Sequence, residues 1–143
     1  MAISDFPIQD ISHLIPQKNP FVMVDSLIEF TDESLVSNFL INSPNVFLEK
    51  GVLLEPGLVE NMAQTVALHT GYAYFLKGEE APTGYIGSIK KVEIFGLPKV
   101  GETLRTEVHI LHEFMGVTMV NVEVFDTEKK VLASAQMKTV IAN

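Results

Sequence analysis

The chain has 143 residues, of which 47% are hydrophobic and 20% charged, and this is enough apolar material for one domain with a substantial core. Its 18 acidic and 10 basic residues give a formal net charge of -8. That balance disfavours nucleic-acid binding, because neutralising phosphates requires clustered lysine and arginine. The absence of cysteine excludes disulfides, thiolate nucleophiles and cysteine-based zinc sites. The four histidines have no metal-binding spacing, so we expect neither a metal nor a cofactor.

The chain carries no signal of secretion or membrane insertion. Its first residues contain neither the basic region nor the apolar region of a signal peptide, and no apolar run reaches the length of a membrane span. No repeat, linker or low-complexity segment divides it. We therefore expect a cytoplasmic, soluble protein with a single domain over residues 1–143.

The first forty residues predict a short helix followed by a β-hairpin. Apolar residues at positions 8, 11, 14 and 15, among prolines at positions 7, 16 and 20, favour a short amphipathic helix that ends near Pro16. Residues 21–30 and 35–41 are rich in Val, Ile, Leu and Phe and predict two strands. Residues 31–34, Thr-Asp-Glu-Ser, have the composition of the turn between them.

The central part of the chain predicts one long helix over residues 57–76. It opens on Pro56-Gly57 and ends at the loop 78–82. Its apolar residues recur at helical spacing and cover a wide face, which indicates a helix enclosed on most sides. These residues are Leu58, Val59, Met62, Ala63, Val66, Ala67, Ala73 and Tyr74.

The second half of the chain predicts four antiparallel strands, because short turns separate its β-rich runs. The runs are residues 85–95, 102–114, 117–125 and 131–141. One long apolar helix and one antiparallel sheet bury their apolar surfaces best when the sheet curls around the helix. The predicted fold class is therefore α+β, with a long central helix wrapped by a curved antiparallel β-sheet.

The predicted helix carries a carboxylate, Glu60, among apolar neighbours. Such a carboxylate has either a catalytic or a structural role. Glu60 and Gln64 are four residues apart and therefore share a face of the helix. A carboxylate in such a place is paired, neutralised or employed in catalysis, since an unpaired buried charge is costly. The helix N-terminus also offers backbone N–H groups that can hold a carbonyl oxygen. The alternative is a structural carboxylate stabilised by the helix dipole or paired across an interface.

Four segments, in order and at matching spacing, resemble the hotdog-fold β-hydroxyacyl-(acyl carrier protein) dehydratases. Residues 15–25, Ile-Pro-Gln-Lys-Asn-Pro-Phe-Val-Met-Val-Asp, are similar to the family's N-terminal segment and the strand it leads to. Residues 60–64, Glu-Asn-Met-Ala-Gln, match the motif of its central helix. Residues 85–92 resemble its strand after the helix, and residues 98–102 its Pro-x-x-Gly-Asp turn.

The resemblance implies a dehydratase site on this helix. It makes Glu60 the catalytic acid or base, with Gln64 orienting Glu60 or a water molecule. It makes the N–H of Gly57 or Leu58 the group that binds the substrate carbonyl. The implied substrate is a 3-hydroxyacyl thioester of acyl carrier protein or coenzyme A, and the implied reaction is a lyase step in fatty-acid or polyene synthesis.

The chain departs from these dehydratases at the position of their catalytic histidine. Residues 47–55 are about two residues shorter than the family's His-Phe-Pro-Gly region and contain no histidine. Gln17 likewise stands where the N-terminal segment usually has a histidine. The shortened form resembles the dehydratase-like subunits of aryl-polyene and flexirubin-type clusters, where a divergent hotdog subunit pairs with a conventional one.

Several groups are candidates for the missing base. They are His13, the pair Glu49 and Lys50, and Glu60 acting alone through water. His69, His109 and His112 are interpreted as structural or surface residues, since none matches a motif. The aromatic run 72–75 is interpreted as helix packing, with the lining of an acyl tunnel as the alternative.

Three functions therefore remain open. The first is a dehydratase that is weakly active alone because the usual histidine is absent. The second is a non-catalytic subunit that binds an acyl carrier protein or pairs with an active dehydratase. The third is an acyl thioesterase. In each case we expect a homodimer or a heterodimer with another hotdog subunit, because one sheet leaves strand edges to be covered.

Overall fold

The computed structural model describes residues 6–141. Two strands, a small hairpin, one long helix and four further strands follow one another along these residues. Their bounds are β1 (Ser26–Thr31), β2 (Ser34–Leu40), β3 (Leu48–Glu49), β4 (Val52–Leu53), α1 (Glu55–Leu76), β5 (Gly84–Ile94), β6 (Thr103–Phe114), β7 (Val117–Phe125) and β8 (Val131–Ile141). The α+β class and the order of the main elements are confirmed.

Six of the strands form one antiparallel sheet in the order β1-β2-β6-β7-β8-β5. Helix α1 contacts β2, β5, β6 and β7, so the sheet curves around it as predicted. Strands β1 and β5 form the two edges. The four strands after the helix each begin and end within one residue of the predicted runs.

The core lies between α1 and the middle of the sheet. Leu58, Met62 and Val66 follow one another at four-residue spacing and are almost fully buried against valines of β6 and β7, among them Val108 and Val122. Burying one such side chain stabilises the fold by about 1.5–3 kcal/mol. This face of the helix therefore fixes which way Glu60, two residues after Leu58, can point.

A second core cluster covers the C-terminal half of the helix. Leu68 and Tyr72 pack against Ile11, Leu14 and Ile15 of the N-terminal segment, all of which are buried. The segment before β1 therefore lies along the helix. It becomes one wall of whatever cavity the helix borders.

The short helix predicted before Pro16 is absent from the described residues, and that prediction was wrong. Residues 12–16 form turns, and Leu14 N–H donates to the Ile11 carbonyl. Ile8 instead pairs with Leu27, each N–H donating to the other's carbonyl at 2.8 and 3.0 Å. The spacing of the apolar residues reflects their burial against α1, and an irregular segment can bury them as well as a helix can.

The first strand begins at Ser26 and not at residue 21, so the first half of the predicted strand was wrong. The cause is that the backbone of Met23 is bonded to side chains of the helix and not to a neighbouring strand. Its N–H donates to Gln64 Oε1 at 2.7 Å, and its carbonyl accepts from Asn61 Nδ2 at 2.7 Å. Residues 21–25 therefore belong to no strand, and their one backbone bond to β2 runs from the Asp25 N–H to the Asn38 carbonyl at 2.9 Å.

The helix begins at Glu55, two residues earlier than predicted, with Leu54 as its N-cap residue. Pro56 lies in the first turn, where its missing N–H costs no helical hydrogen bond. The small hairpin β3–β4, which the sequence did not predict, directly precedes the N-terminus of the helix. It is fastened by hydrogen bonds from Leu53 N–H to the Pro98 carbonyl at 2.9 Å and from Leu54 N–H to the Phe47 carbonyl at 3.0 Å.

Gly71 marks the closest approach between the helix and the N-terminal segment. A Cβ atom built on Gly71 would lie 1.9 Å from the Leu14 carbonyl oxygen. We expect Gly71→Ala to lower the free energy of unfolding by about 1–3 kcal/mol, the usual cost of overpacking. In an uncrowded helix the same change would stabilise by about 1 kcal/mol, so the sign of the effect is diagnostic.

Chemical denaturation measures this prediction, with Gly84→Ala as the control. A Cβ on Gly84 would meet its nearest atom, the Val140 carbonyl oxygen, at 3.9 Å, which is an ordinary contact. A Gly71→Ala variant more stable than the wild-type chain would contradict the close packing described above.

Candidate active site

The amide of Gln64 is the centre of the site. Its side chain is buried, and Oε1 accepts the Met23 N–H at 2.7 Å. Nε2 donates to the Phe21 carbonyl at 2.9 Å and to Glu60 Oε2 at 2.8 Å. One donor-acceptor group therefore joins the N-terminal segment, the helix and the helix carboxylate. This bond fixes one oxygen of Glu60, and the catalytic part expected of Gln64 remains a prediction.

Glu60 lies half-buried on the helix face that borders a groove. Its Oε2 accepts the bond from Gln64, while Oε1 is neither buried nor hydrogen-bonded to any of residues 6–141. A carboxyl group with one oxygen fixed and the other facing a cavity is arranged to exchange a proton with a bound molecule. Its catalytic role remains a prediction.

Asn61, the next residue, anchors the same segment from the other side, and the sequence reasoning missed it. Its Nδ2 donates to the Met23 carbonyl at 2.7 Å, and its Oδ1 accepts from Thr106 Oγ1 at 2.6 Å. Thr65 Oγ1 donates to the Asn61 carbonyl at 2.7 Å and meets Ser37 Oγ at 2.9 Å. The signal available was a second amide on an otherwise apolar helix, directly beside Glu60.

The groove has a volume of about 560 Å³ and is lined by four parts of the chain. One is the helix face that carries Glu60 and several small residues. The others are the N-terminal segment 12–18, the loop 80–83 and the paired strands β5 and β8. The residues that matter for its chemistry are His13, Gln17, Lys18, Glu60, Tyr85 and Thr139.

The structure places His13 on the same groove as Glu60. His13 is exposed at the rim, and its ring lies edge-on to Phe75 at a centroid distance of 5.1 Å. Two of the three predicted catalytic residues, Glu60 and His13, therefore line one cavity, and Gln64 supports it from below. Gln17 lines the groove as well and was noted in the sequence only as a departure from the family pattern.

Gly57 and Leu58 are not brought into this groove. Both N–H groups donate to the Leu54 carbonyl, at 2.9 and 3.4 Å, and both residues are buried. A Cβ on Gly57 would lie 2.7 Å from Leu53 Cδ1, so the glycine is required by packing on the β3–β4 hairpin. Neither N–H is free in this structure, and the predicted substrate-binding role of these two residues remains a prediction.

The remaining candidate bases lie away from the groove. Glu49 and Lys50 are exposed in the β3–β4 hairpin, where Lys50 takes a positive φ of 52° at the turn. His69 is buried, stacks on Phe30 at 4.8 Å, and its Nε2 lies 2.9 Å from the Thr31 carbonyl. Burial lowers the pKa of His69 below its usual value of 6.5, so at neutral pH this imidazole is uncharged and packs as part of the core.

The histidines of β6 and the aromatic run of the helix also lie outside the groove or serve packing. His109 and His112 are exposed, and His112 stacks on Phe114. Tyr72 is buried against Phe6 and Phe30 and does not line the groove. Packing is therefore the better interpretation of the run 72–75.

Neither a metal centre nor a membrane anchor can be assembled from residues 6–141. No three His, Asp or Glu side chains within that range come close enough together to hold a metal ion. No helix among the same residues is long and apolar enough to cross a bilayer.

A long helix wrapped by a curved antiparallel sheet, with a carboxylate on a groove beside it, is the architecture of a hotdog protein. Residues 9–143 match the ApeP-like family model, described as ApeP dehydratase, and the chain belongs to this family. A 3-hydroxyacyl-[acyl-carrier-protein] dehydratase FabZ of Vibrio atlanticus is 32% identical over 142 residues, covering 92% of this chain and 90% of the relative. The FabZ of Aliivibrio fischeri is 28% identical over 138 residues, with the same coverage of 92% and 90%.

Solved structures share the fold. The dehydratase heterocomplex ApeI:P from Xenorhabdus doucetiae contains a chain that superposes with a TM-score of 0.85 at 19% identity, covering 93% of this chain and 91% of that one. A hypothetical thioesterase with coenzyme A from Streptococcus pneumoniae superposes with a TM-score of 0.67 at 11% identity, covering 82% and 84%. At these identities the likeness is one of fold, and the site must be argued from its own residues.

The hydrogen bonds of Gln64 give a direct test of the site's construction. We expect Gln64→Leu to lower the free energy of unfolding by about 1–3 kcal/mol, because the buried Met23 N–H loses its acceptor. The control is Gln136→Leu, which removes one long bond of 3.4 Å to Asn121 at the sheet surface and should change stability by less than about 0.5 kcal/mol. Urea titration compares the two, and equal effects would argue against the central place of Gln64.

Proposed function

We propose that the chain is a subunit of a 3-hydroxyacyl-thioester dehydratase in which Glu60 is the catalytic acid or base. The observation that carries this proposal is the carboxyl group of Glu60, held at 2.8 Å by Gln64 and open to the groove through its other oxygen. The relatives named as acyl-carrier-protein dehydratases support a carrier-bound substrate in fatty-acid or polyene synthesis. The cytoplasmic location expected from the sequence is part of this proposal.

The reaction needs two proton transfers. A base removes a proton from C2 of the acyl chain, the electron pair forms the C2–C3 double bond, and the C3–O bond breaks. An acid protonates the departing hydroxyl group, which leaves as water. Glu60 is suited to the second transfer, because its free oxygen faces the cavity in which C3 would lie.

Residues 6–141 do not hold a base for the C2 proton in a fixed position. His13 is the imidazole that lines the groove, but it is exposed at the rim and no hydrogen bond from residues 6–141 fixes its ring. We propose that a second hotdog subunit contributes a histidine to the groove and raises the activity. The fold shared with the heterocomplex from Xenorhabdus doucetiae supports such a pairing.

Strand β5 is the surface on which we place that subunit. Its outer edge pairs with no strand among residues 6–141, and nearly all of its residues are exposed. Tyr85, Ile86 and Ile89 present apolar side chains there, and the first two also line the groove. A partner on this edge would cover exposed apolar surface and reach the cavity at the same time.

Turnover of 3-hydroxyacyl carrier-protein thioesters tests the role of Glu60. We expect slow formation of the enoyl product by the chain alone, faster formation when a histidine-bearing hotdog subunit is added, and a loss of about 10²–10⁴-fold in Glu60→Gln. The variant should fold normally, because Gln64 Nε2 can donate to the carboxamide oxygen as it does to the carboxylate. Glu55→Gln, an exposed acid in the same helix outside the groove, is the matched control.

The outcomes separate the three functions. Full activity of Glu60→Gln would exclude Glu60 as the acid or base. Partner-dependent turnover that is unaffected by this substitution would identify a non-catalytic subunit. Release of free thiol without an alkene, followed in the same assay, would identify a thioesterase.

The assembly through β5 is tested by a charge placed on its edge. We expect light scattering to show a dimer or heterodimer, and Ile89→Glu to shift it towards monomer, because the carboxylate would be buried without a partner. Leu111→Glu, at an exposed position near the tip of β6, is the control and should leave the assembly unchanged. A strictly monomeric wild-type chain, with and without a second hotdog subunit, would contradict the proposed interface.

A further inference from the structure

Gln17 carries an amide that the fold leaves without a partner. Its Oε1 is buried, yet none of residues 6–141 donates a hydrogen bond to it. Its Nε2 is not buried and has no acceptor among the same residues. A buried acceptor without a donor destabilises a folded chain, so a side chain of this kind calls for an explanation.

The position of Gln17 ties it to the proposed catalytic group. Gln17 lines the groove that Glu60 lines. The turn that follows it is closed by a bond of 2.9 Å from the Phe21 N–H to the Lys18 carbonyl, and the Phe21 carbonyl accepts from Gln64. Gln64 also holds Glu60, so the segment that carries Gln17 is attached, four residues further on, to the amide that holds the carboxyl group.

The Gln17 amide can present either end to the groove. Rotation about the last side-chain torsion exchanges Oε1 and Nε2, and this torsion has a broad, two-fold energy profile. Because neither end is bonded to residues 6–141, the rotation breaks no hydrogen bond. Rotation moves Oε1 to the accessible position, where it can accept from a donor in the cavity, and moves Nε2 to the buried one.

We propose that Gln17 binds the 3-hydroxyl group of the substrate and so selects 3-hydroxyacyl over unsubstituted acyl thioesters. This inference rests on the proposed dehydratase function. The thioester carbonyl has no hydrogen to donate, whereas the 3-hydroxyl group is the donor nearest the reacting carbons. Gln17 Oε1 accepts that hydrogen, which leaves the hydroxyl oxygen's lone pairs directed at Glu60.

The proton balance is consistent with this assignment. The base takes the C2 proton, the C3–O bond breaks with its electron pair going to oxygen, and Glu60 supplies one proton. The departing water then carries the hydroxyl group's own hydrogen, still donated to Gln17, and the hydrogen from Glu60. Gln17 is a specificity-determining residue that touches the leaving group and transfers no proton.

Binding of two thioesters to the purified full chain tests the inference. The ligands are 3-hydroxyoctanoyl-pantetheine and octanoyl-pantetheine, measured by calorimetry in the Glu60→Gln background so that no turnover occurs. We expect the hydroxylated thioester to bind more tightly, and Gln17→Met to weaken it about fivefold to tenfold, the effect of one hydrogen bond. The affinity for octanoyl-pantetheine should not change.

Thermal melting separates this role from a structural one. Gln17→Met is close in size and removes an unpartnered acceptor, so the unliganded variant should melt at or above the temperature of its parent. Gln17→Ala is the second variant and should show the same loss of selectivity. An equal loss of affinity for both thioesters, no loss for either, or no selectivity in the parent would overturn the inference.

Failure of this inference and failure of the proposed function give different results. Dehydration that depends on Glu60, together with selectivity that ignores Gln17, would refute the inference and leave the function standing. Selectivity that depends on Gln17, with no dehydration in the presence of any hotdog subunit, would support binding of the 3-hydroxyl group by Gln17 and refute the proposed function.

Discussion

The hydrogen bonds from the Gln64 and Asn61 amides to the backbone around Met23 are the constraint on which the site depends. Met23 is fully buried, and both its N–H and its carbonyl are satisfied by side chains of the helix. Unsatisfied, each group would cost about 1–3 kcal/mol, so these bonds decide where residues 21–25 can lie. A helix that is otherwise enclosed by apolar packing thereby gains a specific attachment to a segment without secondary structure.

This attachment explains how a groove forms beside a well-packed core. The N-terminal segment is held against the helix at Met23 and again where the Leu14 carbonyl meets Gly71. Residues of this segment, of the helix and of strands β5 and β8 line the groove together. The carboxyl group of Glu60 faces the groove because Gln64 Nε2 donates its second hydrogen to Glu60 Oε2. Stability and the arrangement of the site thus depend on the same amide.

The groove is also bordered by the least protected part of the sheet. Strand β5 is an edge strand that contributes Tyr85 and Ile86 to the groove wall, and both are exposed in the single chain. A cavity whose wall is an open edge is completed by whatever covers that edge. This links the proposed chemistry to the proposed assembly, because residues 6–141 fix the Glu60 carboxyl group but form no hydrogen bond with the His13 ring.

The sequence predicted those parts of the fold that periodicity controls. The long helix and the four strands after it were correct to within two residues, because alternation and helical spacing report burial directly. The same signal failed before β1, where Ile11, Leu14 and Ile15 are buried without forming a helix. Residues 21–25 were read as strand because they are apolar, and only the partners of Met23 show why they join no ladder.

The site was predicted in part for a similar reason. Glu60, Gln64 and His13 could be named from a motif and from residue type, since four-residue spacing fixes the first two on one face. The engagement of the Gly57 and Leu58 N–H groups by Leu54 could not be foreseen, because it follows from a helix start set by the β3–β4 hairpin. The sequence could not show that the Gln17 amide has no hydrogen-bond partner among residues 6–141, because the fold decides which groups meet.

Amide hydrogen exchange at Met23 tests the central claim most directly. Its N–H lies outside every strand but is buried and donates to Gln64 at 2.7 Å. The account predicts protection comparable to that of the buried amides of β6 and β7. The Gly78 amide, in the exposed turn after the helix and bonded only to the Phe75 carbonyl three residues before it at 3.0 Å, should exchange far sooner. Exchange at Met23 as fast as at Gly78 would contradict the claim that the helix amides hold this segment in place.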